Sequence, residues 1–319
     1  MNVDELIDRE VAAALVATGY GSVVYPLDPE GVPAFRANRV AVVVPLDPAS
    51  TIAIHDVAVP GPPGDPDVIV RVYSPPASTE PRPCCYWIHG GGYIFGDINM
   101  SDLRCVQTAE SLDCVVVSVD YRLAPESPFP APLDDCYAGL AWTAAHAADL
   151  GIDRQRIVIV GQSAGGGLAA ALALLARDRG EIPVSYQLLI YPMIDDRNAT
   201  TSSELVTKVW TREANLLGWR CYLGHEPGID GVSPYAAPAR AEDLRGLPPA
   251  FIGVGTLDVF RDENITYAQR LLAAGVPTEL HVYPGAPHGF EGLAPQAAVS
   301  QQFSRDIADA LRRAMYPRW

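Results

Sequence analysis

The stretch Gly161-Gln162-Ser163-Ala164-Gly165 places a serine between an apolar β-branched run, RIVIV, and a helix-forming one, GGLAAALALLA. A serine on a sharp strand-to-helix turn presents its hydroxyl above the strand end, and Gly161 and Gly165 let the backbone turn and pack closely. The helix start behind it offers unpaired N–H groups and a positive dipole end to a developing anion. That suits a nucleophile attacking a carbonyl carbon; the competing readings are a glycine-rich phosphate loop and glycines kept for close packing alone. A second glycine cluster, His89-Gly90-Gly91-Gly92, follows the run CCYWI. Three successive glycines cost conformational entropy that a mere connection need not bear. Backbone amides of Gly91 and Gly92 are therefore expected to join that of Ala164 around an oxyanion, with His89 and Gly90 supporting the loop.

A serine hydroxyl needs a base, and six histidines are available. His55 and His281 lie in strand-like runs, His146 in a helical one, His225 in an irregular apolar segment, and His89 in the glycine loop. His288, in Tyr-Pro-Gly-Ala-Pro-His-Gly-Phe just past the last strand-like run, lies where the carboxyl ends of strands converge. The orienting carboxylate is expected between serine and histidine in the chain. Asp258 directly follows the run AFIGVG; its competitors Asp262 and Glu263 fall where a helix N-cap and first turn are expected.

The elements that must position these residues follow from periodicity. Short β-branched runs alternate with longer alanine- and leucine-rich stretches, the pattern of strands joined by helical crossovers. Eight strands are predicted, at Ile52–Val59, Val68–Tyr73, Cys84–Ile88, Val115–Val119, Ile157–Val160, Tyr186–Ile190, Ala250–Gly255 and Glu279–Tyr283. The proline-rich connections PGPPGDP and PPASTEPRP predict an antiparallel edge at the first strands. Helices are predicted over Leu133–Ala148, Ala164–Arg177, Glu263–Ala274 and near Gln296–Arg313. The result is an α/β fold of one domain, 1–319, with cap elements from about 1–50 and about 194–245. The second of these carries Trp210 and Trp219, candidates for a substrate pocket or for core packing.

Composition narrows the partners. A formal charge of −15, with Lys208 as the sole lysine, opposes attraction to nucleic acid or to an anionic membrane. The six cysteines show neither a CxxC pair nor zinc-site spacing, and so are expected to be buried reduced thiols in the cytoplasm. The first residues lack a basic signal-peptide start, and no apolar run approaches a bilayer's span. The oligomeric state is left open, a homodimer included.

With HGGG, Tyr121-Arg-Leu-Ala-Pro-Glu126, GxSAGG, DVFRDE and His288-Gly-Phe in order, the sequence resembles the hormone-sensitive-lipase family of α/β-hydrolase esterases over residues 84–293. The resemblance implies an eight-stranded, mostly parallel sheet with a helical cap, no cofactor or metal, and hydrolysis of short-acyl esters through an acyl-enzyme on Ser163. Gln162 departs from the acidic residue or threonine commonest before the nucleophile. The run GQSAGGGLAA looks instead like the bacterial heroin esterase and acetyl esterase branch. An amidase or acyltransferase could use the same triad, a non-catalytic binding protein could share the fold, and a dinucleotide enzyme is opposed by the missing GxGxxG.

Overall fold

The β-branched runs form the eight expected strands, with β5 starting five residues earlier and β8 running four residues further than predicted: β1 Ala53–Val59, β2 Val68–Ser74, β3 Arg82–Ile88, β4 Val115–Asp120, β5 Ile152–Gln162, β6 Tyr186–Ile190, β7 Ala250–Leu257 and β8 Thr278–Pro287. The structure is a computed structural model and describes residues 5–19, 23–38, 45–207 and 209–317, so Lys208 and parts of the 1–50 segment lie outside it. The strands make one sheet in the order β1-β2-β4-β3-β5-β6-β7-β8. β1 pairs antiparallel with β2 and β2 with β4, whereas every pair from β4 to β8 is parallel. Parallel strands are covered on both faces and need continuous apolar sequence. β3 and β4 have it, while the edge strand β1 is largely exposed.

Helices cover the two faces. On one lie α4 (Ala131–Ala145), α5 (Ala164–Arg179) and α7 (Arg261–Ala273); on the other lie α3 (Asp102–Leu112) and α9 (Ala298–Met315). α3 has no counterpart among the expected helices. Its buried Cys105, Val106, Ala109 and Leu112 recur at helical spacing, but they are interleaved with polar residues that hide the stripe. The N-terminal region divides. α1 (Arg9–Thr18), capped by Asp8, packs on the body: Asp8 N–H donates to the Gly285 carbonyl at 2.9 Å and Val11 is fully buried. α2 (Val32–Ala37) lies instead beside the glycine loop, where Arg36 donates to the carbonyls of Ile94 and Ala124 at 2.9 and 2.8 Å and pairs with Glu126. The segment after β6 forms α6 (Arg212–Leu223), started by Thr211 as N-cap and ended by Gly224 in the left-handed region.

Candidate active site

β5 delivers Ser163 to the start of α5 at φ +58, ψ −121, a conformation a non-glycine residue holds only under constraint. The constraint is visible at its neighbours. A Cβ on Gly161 would come within 2.0 Å of the Gly165 carbonyl oxygen, and one on Gly165 within 2.3 Å of the carbonyl oxygens of Ile88 and His89. The turn is thus pressed against itself and against the end of β3. Ser163 N–H donates to the Ile190 carbonyl at 2.9 Å, which ties the turn to β6.

Ser163, Asp258 and His288 are brought together at the carboxyl ends of β5, β7 and β8. The Ser163 hydroxyl lies 2.9 Å from His288 Nε2, and His288 Nδ1 lies 2.7 Å from Asp258 Oδ2. Asp258 is fully buried, and its other oxygen accepts the Phe260 N–H at 3.0 Å. The imidazole packs at steep angles to the rings of Tyr191 and Phe260, with centroids 4.6 and 5.1 Å away. Such an arrangement moves a proton off the hydroxyl while a buried carboxylate orients and stabilises the imidazolium.

The competing carboxylates are occupied elsewhere. Asp262 is not the cap of α7, as expected, because the helix starts at Arg261 with Phe260 in the cap position. Its carboxylate accepts the Ser202 N–H at 2.7 Å and so anchors the segment leading to α6. Glu263 is buried in the first turn and accepts the N–H groups of Ile194 and Asp195 at 2.9 and 3.2 Å. Burial, and secondarily Asp195, push its carboxyl well above the usual carboxylate range.

Facing Ser163, Gly91 and Gly92 adopt φ +127 and +60, and a Cβ on Gly91 would come within 1.8 Å of the Phe95 carbonyl oxygen. These positions require glycine. Among the described residues, neither amide, nor that of Ala164, donates to a protein acceptor, so three N–H groups remain for a ligand oxygen. Gly90 sits against the serine turn, where its Cβ would meet the Gln162 carbonyl oxygen at 2.9 Å. His89 acts as an anchor: Nδ1 donates to the Gly90 carbonyl at 2.8 Å and the ring stacks on Tyr121.

Trp210 and Trp219 part company. The Trp210 indole covers Gly92, where a Cβ would come within 2.2 Å of the ring, and its centroid is 6.5 Å from that of His288. Tyr25 and Phe95 pack on it, and Asn215 Oδ1 accepts its Nε1–H at 3.2 Å. Trp219 is fully enclosed against Tyr93 and Tyr222. Sequence reasoning missed Tyr25, Phe95 and Tyr191. Tyr191 alone carried a signal, its place just past a strand's carboxyl end.

Acyl transfer is the chemistry these groups can perform, which places the chain among the serine-dependent hydrolases of the α/β-hydrolase fold. A family model described as alpha/beta hydrolase fold matches residues 85–292, and the chain belongs to that family, the one resembling hormone-sensitive lipase. It is 40% identical over 271 residues to esterase LipI of Mycobacterium tuberculosis, covering 83% of each chain. Carboxylesterase NlhH of the same organism is 40% identical over 268 residues, covering 78% of this chain and 79% of the relative. A solved structure of bacterial heroin esterase superposes with a TM-score of 0.91 at 43% identity, covering 98% of both chains. The protein is a carboxylic ester hydrolase.

Proposed function

We propose that this esterase cleaves short-acyl, acetyl-like esters through an acyl-enzyme on Ser163. Ser163 Oγ attacks the ester carbonyl as His288 Nε2 takes its proton, and the amides of Gly91, Gly92 and Ala164 hold the resulting oxyanion. The imidazolium, held by Asp258, then protonates the leaving alkoxide. Water deprotonated by the same histidine attacks the acyl carbon, releasing the acid and restoring the serine. The observation that carries this reading is the unbroken Ser163–His288–Asp258 relay at 2.9 and 2.7 Å.

Trp210 bounds the acyl pocket in this reading, because its ring lies over the glycine loop. Trp219 takes no part, its ring packing against Tyr93 and Tyr222 instead. The cap consists of α2 and the 194–245 segment on a single α/β domain. Among the described residues no helix is long and apolar enough to cross a membrane. Six unpaired, buried cysteines support a reducing compartment, the cytoplasm. The test is a hydrolysis profile over p-nitrophenyl esters of increasing acyl length, run beside an anilide and an acetylated phenol. Acetyl and propionyl esters should turn over fastest, and faster anilide cleavage would replace the esterase reading with an amidase one.

A further inference from the structure

Beside the imidazole lies a polar cluster that the relay does not use. Gln162 directly precedes Ser163, Tyr191 directly follows β6, and Glu291 stands three residues after His288 in the short helix α8 (Phe290–Leu293). The Tyr191 hydroxyl donates to Glu291 Oε1 at 2.6 Å; Gln162 Nε2 donates to the Tyr191 hydroxyl and, at 3.2 Å, to the same carboxylate oxygen. Tyr191 and Glu291 are buried, and Arg104 of α3 supplies the compensating charge 3.6 Å from Oε1. Tyr191 holds φ +33, which only a firmly fixed non-glycine residue sustains, and its N–H is tied to the Gly253 carbonyl at 2.7 Å.

We propose that Gln162, Tyr191 and Glu291 are positioning residues that staple the serine turn to the histidine loop and hold the base at proton-transfer distance from the nucleophile. This rests on the relay reading above. Gln162 and Glu291 are the near neighbours in sequence of Ser163 and His288, and Tyr191 bonds to both while its ring packs against the imidazole. Gly289, next to His288, stands at φ +70, and a Cβ there would meet nothing within 4 Å. The identity of residue 162 also follows. An amide N–H₂ can donate to a phenol and a carboxylate together, whereas a carboxylate at 162 would face Glu291, and two carboxylates so close cannot both ionise. Glutamine at 162 and glutamate at 291 are therefore a matched donor and acceptor, and exchanging them should preserve the staple with its polarity reversed.

The experiment compares wild type with Q162E, E291A, Y191F, the exchange variant Q162E/E291Q and S163A at mildly alkaline pH. It records kcat and KM for an acetyl ester per active site titrated by an organophosphate, together with Tm. Each of Q162E, E291A and Y191F should lower kcat about tenfold with KM within about twofold, because a misplaced base slows chemistry more than it weakens binding. The exchange variant should recover most of the loss. Wild-type kcat in all three, or a loss of Tm and of titratable sites with kcat per site intact, overturns the staple. Failure of the exchange to recover kcat overturns it too. S163A should be inactive: turnover by S163A would sink the relay and the staple together, whereas an inactive S163A beside unaffected single variants sinks the staple alone.

Discussion

Ser163 keeps its strained turn through glycine contacts and backbone bonds that do not involve its hydroxyl. Ser163→Ala should therefore fold with a wild-type Tm and lose roughly 10⁶ in kcat. Mass spectrometry after organophosphate treatment should find the adduct on Ser163 in wild type and none in the variant; an adduct on another serine contradicts the assignment. At the acid, Asp258→Asn should cost about 10⁴ in kcat by disturbing the imidazole tautomer. Asp262→Asn should leave kcat near wild type, since that carboxylate meets Ser202 and Arg261. The acid side of the pH–rate profile belongs to protonation of the base. His89, pushed down to about 4 by burial, stays neutral throughout the neutral range and cannot supply that limb. Activity per site should accordingly fall about tenfold per pH unit on a single acid limb; a steeper limb would bring in a second group.

At the scale of elements, the segment after β6 holds α6, and its two tryptophans test what the proposed cap does. Trp210→Ala should shift the preferred ester towards longer acyl chains, because each added methylene that is buried contributes about 0.8 kcal/mol. Trp219→Ala should leave the ratio of hexanoyl to acetyl hydrolysis unchanged and cost about 3–5 kcal/mol of stability, the usual result of emptying a core site. α7 is joined to the segment after β6 through Glu263 and two backbone N–H groups. Its folded-state pKa is raised, so the protonated form is the one the fold favours. The contribution is complete below the unfolded value near 4.3 and is lost as pH rises through the folded value. Glu263→Gln keeps an acceptor oxygen but has no proton to lose. Its Tm should gain on wild type as pH increases, and thermal melts over a pH series that run parallel would refute the buried, protonated acid.

Over the whole molecule, all six cysteines are buried and unpaired, and burial pushes their thiols up, that of Cys221 to about 11. A disulfide-exchange reagent such as DTNB should therefore find no fast-reacting thiol in the native protein and six after denaturation in guanidinium. One or more fast native thiols would show that an outer helix opens readily.

How much of this was legible in the sequence depends on the range of the signal. The sharp turn at Ser163, the tight loop at Gly91 and Gly92, and the eight strands were readable because tight turns and β-branched runs are local: each is fixed by residues within a few positions. That His288 and Asp258 would gather beside Ser163 was readable from their places at strand ends, since a parallel sheet brings those ends to one edge. The hidden parts were long-range. Asp262 looked like a helix cap until Ser202, 60 residues away, was seen to take its carboxylate. The two tryptophans looked equivalent until packing set one ring over Gly92 beside His288 and the other against Tyr93 and Tyr222. Gln162, Tyr191 and Glu291 are far apart in the chain and carry no local pattern. Only closure of β5, β6 and the loop after β8 into one sheet edge made them a cluster, because a hydrogen bond is set by distances that sequence spacing does not encode.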